Sequence, residues 1–83
     1  MEQIATFFTH LGALRFHRRV KGLGDTGAVM APVPRKLSAS CGTCVRFSLP
    51  FQEEWAQEDL EAVYRCESGG YVRCFRSREQ DEK

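Results

Sequence analysis

Glycines, prolines and one helix cap cut this chain into six short stretches of regular apolar spacing, and that punctuation is what most constrains its fold. Stretches this short are single strands or short helices, and each has to hide its apolar side against another. Residues 4–9, Ile-Ala-Thr-Phe-Phe-Thr, form an apolar run rich in β-formers and read as a buried strand. Thr9 or His10 then caps a helix reaching about Lys21, because Leu11, Ala13, Leu14, His17 and Val20 recur at spacings of three and four. Gly22 and Gly24 stop it, and the glycine-spaced stretch 22–27 around Asp25 has the composition of a loop.

Residues 28–33 read as a strand whose Pro32, with Pro34 after it, suits a sheet edge, since proline cannot donate to a ladder. A loop at 35–43 follows. Residues 44–49 then alternate Val45, Phe47 and Leu49 against Cys44, Arg46 and Ser48, which is a strand with one apolar face ended by Pro50. From Gln52 to about Cys66, Trp55, Ala56, Leu60, Val63 and Tyr64 have the spacing of an amphipathic helix. Glu53, Glu54, Glu58 and Asp59 suit its N-terminal half, where the helix dipole favours negative charge. Gly69-Gly70 stops it, and residues 71–76 alternate as a last strand. The order predicts an α+β, ferredoxin-like βαββαβ fold, a four-stranded antiparallel sheet with two helices on one face. With 83 residues there is material for one core, assigned to residues 1–78, followed by a charged tail at 79–83.

A hydrophobic share of 42% and a charged share of 28% match an ordinary packed domain. The apolar runs fall far short of the roughly 18 residues that span a bilayer, so no membrane association is expected. The first residues lack the basic and apolar segments of a signal peptide, which predicts a cytoplasmic chain. The net charge of +1 conceals an asymmetry: residues 1–50 hold seven Arg or Lys against two acids, and residues 51–83 five against nine. Such runs are usually solvated faces, although the basic half has the sign to attract a small anion. Arg73, Arg76 and Arg78 alternate with Phe75 as on an RNA-binding strand, but the balanced charge and acidic second half argue against nucleic acid. Trp55, Tyr64, Tyr71 and Phe75 sit at core spacings. His17 reads as a partly buried, satisfied side chain.

Four cysteines are too few for a secreted disulfide scaffold, and in a reducing compartment they stay thiols. Cys41 and Cys44 form a Cys-x-x-Cys pair, a spacing at which the second thiol can resolve an adduct on the first. A cysteine acts as a nucleophile through its thiolate, which positive charge or a helix N-terminus favours. Arg35 and Lys36 lie just upstream, and Ser38, Ser40 and Gly42 offer hydroxyls and a permissive backbone around an anion. In the predicted fold, chain direction brings the 35–43 loop to the end of the sheet where the first helix starts, so Cys41 faces Thr9 and His10. The expected site is therefore Cys41 and Cys44 as reactive thiols, with Arg35, Lys36, Ser38, Ser40, Gly42, Thr9 and His10 as ligand-binding residues. No cofactor is called for. Cys74 reads as buried and inert, and Cys66 as structural at a helix end. Two other readings stay open: a zinc site from Cys41, Cys44, Cys66 and His10 in a binding module, and a Cys41/Cys44 dithiol redox protein.

The stretch Pro32-Val33-Pro34-Arg35-Lys36-Leu37-Ser38-Ala39-Ser40-Cys41-Gly42, with Val45-Arg46-Phe47 after it, resembles the selenium/sulfur carrier protein-like family, formerly a domain of unknown function. Phe7-Phe8-Thr9, Ala13-Leu14 and Glu58-Asp59-Leu60 resemble its first strand and turn, first helix and second helix. The resemblance implies a cytoplasmic bacterial protein with a role in selenium or sulfur trafficking, and with the loop chemistry it gives the expectation of a carrier holding a persulfide or selenium adduct on Cys41. Its partners would be donor and acceptor proteins, with a homodimer as a further expectation. Arg35, Ser38, Ser40, Cys41 and Gly42 carry over directly. Cys44, Cys66 and Cys74 lie outside the family's pattern, and Phe16 and His17 replace small and acidic residues on the first helix.

Overall fold

A computed structural model describes residues 2–77 of the chain, so the charged tail expected at 79–83 lies outside the described residues. Strand β1 (Gln3–Phe7) leads into helix α1 (His10–Gly22), then β2 (Val29–Pro32), β3 (Thr43–Phe47), a 3₁₀ turn (Glu53–Trp55), β4 (Leu60–Glu67) and β5 (Gly70–Arg76). The five strands form one sheet in the order β2-β3-β1-β4-β5, and every neighbouring pair is antiparallel. β1 is central and all five of its residues are buried. β3 lies between β1 and β2, which is the split β-α-β arrangement the element order predicts.

The α+β character stands, but the predicted layout of four strands and two helices does not. No helix spans 52–66 among the described residues; that stretch holds the 3₁₀ turn and β4, a strand that was not expected, which pairs with β1 and leaves the expected last strand, β5, at the edge. The helical spacing of Trp55, Leu60, Val63 and Tyr64 misleads because β4 is covered on both faces at its start. Leu60, Glu61, Ala62 and Val63 are all buried, which erases the alternation of a strand. The turn between β4 and β5 is the clearer signal. Glu67 pairs with Gly70 across the two residues Ser68 and Gly69, and Gly69 takes φ 89°, a left-handed value that a side chain resists.

Across the sheet, Met30, Val45, Ala5, Val63 and Phe75 fall in register and join the core beneath α1. Phe16 of α1 is fully buried between Phe7 and Phe47, with ring centroids 5.4 and 5.3 Å away. The buried stripe of α1 is thus Gly12, Ala13, Phe16 and Val20, while Leu11, expected on the apolar side, is exposed. Gly12 sets this rotation. A Cβ there would lie 2.4 Å from the Cβ of Asp59, so only glycine lets the helix press against the chain entering β4. Gln57 also donates its side-chain amide to the Gly12 carbonyl. The segment between β3 and β4 covers the sheet on the α1 side, with Phe51 and Trp55 packed on the core where the second helix was expected. Phe75 joins them as expected, whereas Tyr64 stands opposite Ile4, on the other side of the sheet from the core row.

His17 is half-buried and donates from Nε2 to the Ala28 carbonyl at 2.9 Å, the satisfied histidine read from the sequence. Asp25 is buried in its glycine loop and accepts from the backbone N–H groups of Gly27 and Ser48, tying that loop to the end of β3. No helix among the described residues is long and apolar enough to cross a membrane.

Candidate functional site

The segment between β2 and β3 is a closed loop. Its base is fastened where Val33 donates its N–H to the Gly42 carbonyl, and Leu37 folds back on Pro34 in a turn. Cys41 sits at the end of this loop, half-buried, and donates its backbone N–H to the carbonyl of Phe7, the last residue of β1, at 3.2 Å. On one side of it, Ser40 is held by Glu61. On the other, Thr43 opens β3 and its hydroxyl meets His10 Nδ1 at 3.3 Å. Thr9 caps α1, its hydroxyl accepting the Gly12 N–H at 2.9 Å, as a threonine before a helix does. Chain direction alone therefore placed the loop, Thr9 and His10 at one end of the sheet, and the geometry brings them there. The link is made by Thr43 and Phe7, two residues the sequence reading did not assign to the site.

Other predicted residues are used differently. Ser40 gives both its N–H and its hydroxyl to the Glu61 carboxylate, each at 3.0 Å, so that hydroxyl is turned to a carboxylate instead of to a thiolate on Cys41. Arg35 and Ser38 are exposed. Lys36 borders a depression of about 370 Å³ with Glu2, Arg46, Cys66 and Tyr71, a lining that does not include Cys41. Arg46 is on the strand side opposite Val45 and Phe47 of the core, so the loop runs from Cys41 across the far face of the sheet. Gly42 is exposed and contributes its carbonyl to the loop base.

The four thiols stand at different depths. Cys44 is fully buried, with its Sγ 3.6 Å from the Pro32 carbonyl, and burial pushes its pKa up against the opposing pull of Arg46. Cys66 lies on β4, half-buried, and is also pushed up, first by burial and then by Glu2. It is not at a helix end, because that helix is a strand. Cys74, expected to be buried, is exposed: a bulge between Val63 and Tyr64 breaks the alternation of β5, and β5 is an edge strand. No group of three or more His, Cys, Asp or Glu side chains among the described residues is placed to hold a metal ion, so Cys41, Cys44, Cys66 and His10 are not gathered into one site.

Glu61 is the residue the sequence reading missed. Assigned to a helix, it has no reason to face the loop; on β4 it does. The Ser68-Gly69 hairpin turn was the sequence signal that could have placed it on a strand.

Cys41 is thus a half-buried residue of a loop fixed at three successive points, Ser40, Cys41 and Gly42, in a small α+β protein. The chain belongs to the family described as Putative Se/S carrier protein-like, whose model matches residues 2–63. The match covers Cys41 and Cys44 and ends before Cys66 and Cys74. No curated protein and no solved structure matches the chain.

Proposed function

We propose that this chain is a carrier that takes a sulfur or selenium atom onto Cys41 from a donor protein and passes it to an acceptor protein. The observation that carries the reading is the anchoring of Cys41 at the β1–α1 junction, within the segment that the family match covers. A carrier thiol has to be reachable by two partners in turn while its position stays fixed, and a half-exposed residue between fastened neighbours meets both demands.

The loading step is a sulfur transfer without net oxidation. The Cys41 thiolate attacks the outer sulfur of a donor persulfide, R–S–SH. The donor S–S bond breaks, a Cys41–S–SH bond forms, and R–S⁻ leaves with the electron pair; a donor R–S–SeH gives Cys41–S–SeH in the same way. Delivery repeats the step with the acceptor thiolate attacking the outer atom and Cys41 leaving. Cys44 lies three positions on, but its full burial and raised pKa hold it back from resolving the adduct. The resting loaded form in this reading is therefore a persulfide on Cys41 and not a Cys41–Cys44 disulfide.

The test is intact mass spectrometry of the reduced chain after incubation with glutathione persulfide. The expected result is a gain of one sulfur atom that disappears in Cys41→Ser and persists in Cys44→Ser. Uptake unchanged in Cys41→Ser would overturn the reading, and a loss of two protons in place of a gain would assign the pair to dithiol redox chemistry. Stoichiometric zinc in anaerobically purified protein, lost in Cys41→Ser, would assign the loop to metal binding.

A further inference from the structure

We infer that Glu61 is the positioning residue of the Cys41 loop, acting through Ser40; the inference rests on the carrier reading and names how the same site is held. Two independent features of the fold converge on it.

The first is the bulge in the β1–β4 ladder. Phe7 pairs with Leu60 and Thr6 with Ala62, so Glu61 is the extra residue between them. A bulge of this kind re-aims a side chain out of the strict in-and-out alternation and interrupts the ladder beside it. Both consequences serve the same loop. The Glu61 carboxylate receives the two donors of Ser40, and the carbonyl of Phe7, at the level of the bulge, receives the N–H of Cys41.

The second feature is the burial of that carboxylate. Glu61 is only 6% exposed although Ser40 itself is a surface residue. A carboxylate is costly to take out of water unless hydrogen bonds replace its hydration. Its place in the interior at the mouth of the loop makes the paired bonds to Ser40 strong and directional, since hydrogen bonds to ionised groups are about twice as strong as neutral ones. The Glu61 backbone carbonyl also accepts the N–H of Ser77, so the residue is fixed by the end of β5 as well. Cys41 is thus set by a chain of contacts that runs β5, Glu61, Ser40, Cys41, and a parallel one through Phe7.

A positioning role predicts opposite effects on two kinds of chemistry at one sulfur. Loosening the loop makes Cys41 more open to a small, indiscriminate electrophile and less well aligned for sulfur transfer. The experiment compares wild type, Ser40→Ala and Glu61→Gln by peptide-resolved mass spectrometry, following alkylation by iodoacetamide and, separately, sulfur uptake from glutathione persulfide. Ser40→Ala removes the hydroxyl bond from an exposed position and leaves the core intact. Glu61→Gln keeps the shape but places an amide N–H₂ where one acceptor stood. In both variants alkylation of Cys41 is expected to rise, by about tenfold in Ser40→Ala, the factor for losing one hydrogen bond to a charged group, while sulfur uptake falls. Alkylation of the exposed Cys74 serves as the internal control and stays constant.

Two rates that are unchanged, or that move in the same direction, in variants with the wild-type far-UV spectrum would overturn the inference. If Glu61→Gln does not fold, Ser40→Ala decides alone. If wild type takes up no sulfur, the carrier reading fails, yet unchanged or raised Cys41 alkylation still tells whether Glu61 holds the loop.

Discussion

Taking the Cys44 side chain out of water holds its proton on, because the thiolate would lose its hydration and the pull of Arg46 and of a backbone hydrogen bond offsets only part of that loss. The same cause acts on Cys66. In the unfolded chain both thiols titrate near the ordinary value of about 8.5. Their folded pKa values are raised, so above that pH the folded chain holds protons that the unfolded chain has given up, and stability falls as pH rises. The contribution is fully present below about pH 8 and is lost as pH rises through the folded values. Urea midpoints measured from pH 7 to pH 10 are expected to decline for wild type and to decline less steeply for Cys44→Ala. Equal slopes would mean that Cys44 ionises as easily folded as unfolded. At this scale the sequence was legible where a residue's partner is local: Thr9 as a cap follows from its place before an apolar helix. It gave Ser40 to a bound anion and missed its partner, Glu61, which is 21 positions away on a strand read as a helix.

Among the elements, α1 and the chain entering β4 approach too closely for any side chain at Gly12. Gly12→Ala forces a methyl to 2.4 Å from the Asp59 Cβ, next to a backbone held by the Phe8 N–H on the Asp59 carbonyl. Overpacking of this kind costs about 1–3 kcal/mol, more than the roughly 1 kcal/mol that alanine returns in helix propensity. A net loss in urea-derived stability is therefore expected, and a stabilised variant would show that the 57–60 segment yields. The Arg15–Asp59 pair, 3.8 Å apart and largely exposed on the arginine side, adds little. Four strands and α1 were readable from the sequence because each is bounded by glycine, proline or a cap and shows one dominant period. β4 was not, since burial on both faces makes Leu60 and Val63 look like a helical stripe when taken with Trp55, Ala56 and Tyr64. Reading Ser68-Gly69 as a two-residue hairpin turn would have separated strand from helix.

At the scale of the molecule, one helix and one irregular segment among the described residues do the work expected of two helices, and the far face is served by the loop that carries Cys41. The family match stops at residue 63, inside β4, so the rest of the β4–β5 hairpin lies beyond it even though Phe75 packs on the core. The exposed Cys74 belongs to that outer part, on the edge strand farthest from β2. Central β1, buried along its whole length and flanked by β3 and β4, has a consequence for the loop beyond its chemistry. Amide hydrogens of such a strand trade with solvent deuterium only when the whole domain opens. Through its bond to the Phe7 carbonyl, the Cys41 amide joins this slowest set although it lies in a loop. In NMR spectra recorded after transfer to D₂O it is expected to outlast the amides of Arg35 and Ser38, and exchange as fast as theirs would mean that the loop parts from β1 without unfolding. In the expected outcome the Cys41 amide keeps time with the core of the protein, while the segment leading to it keeps time with the solvent.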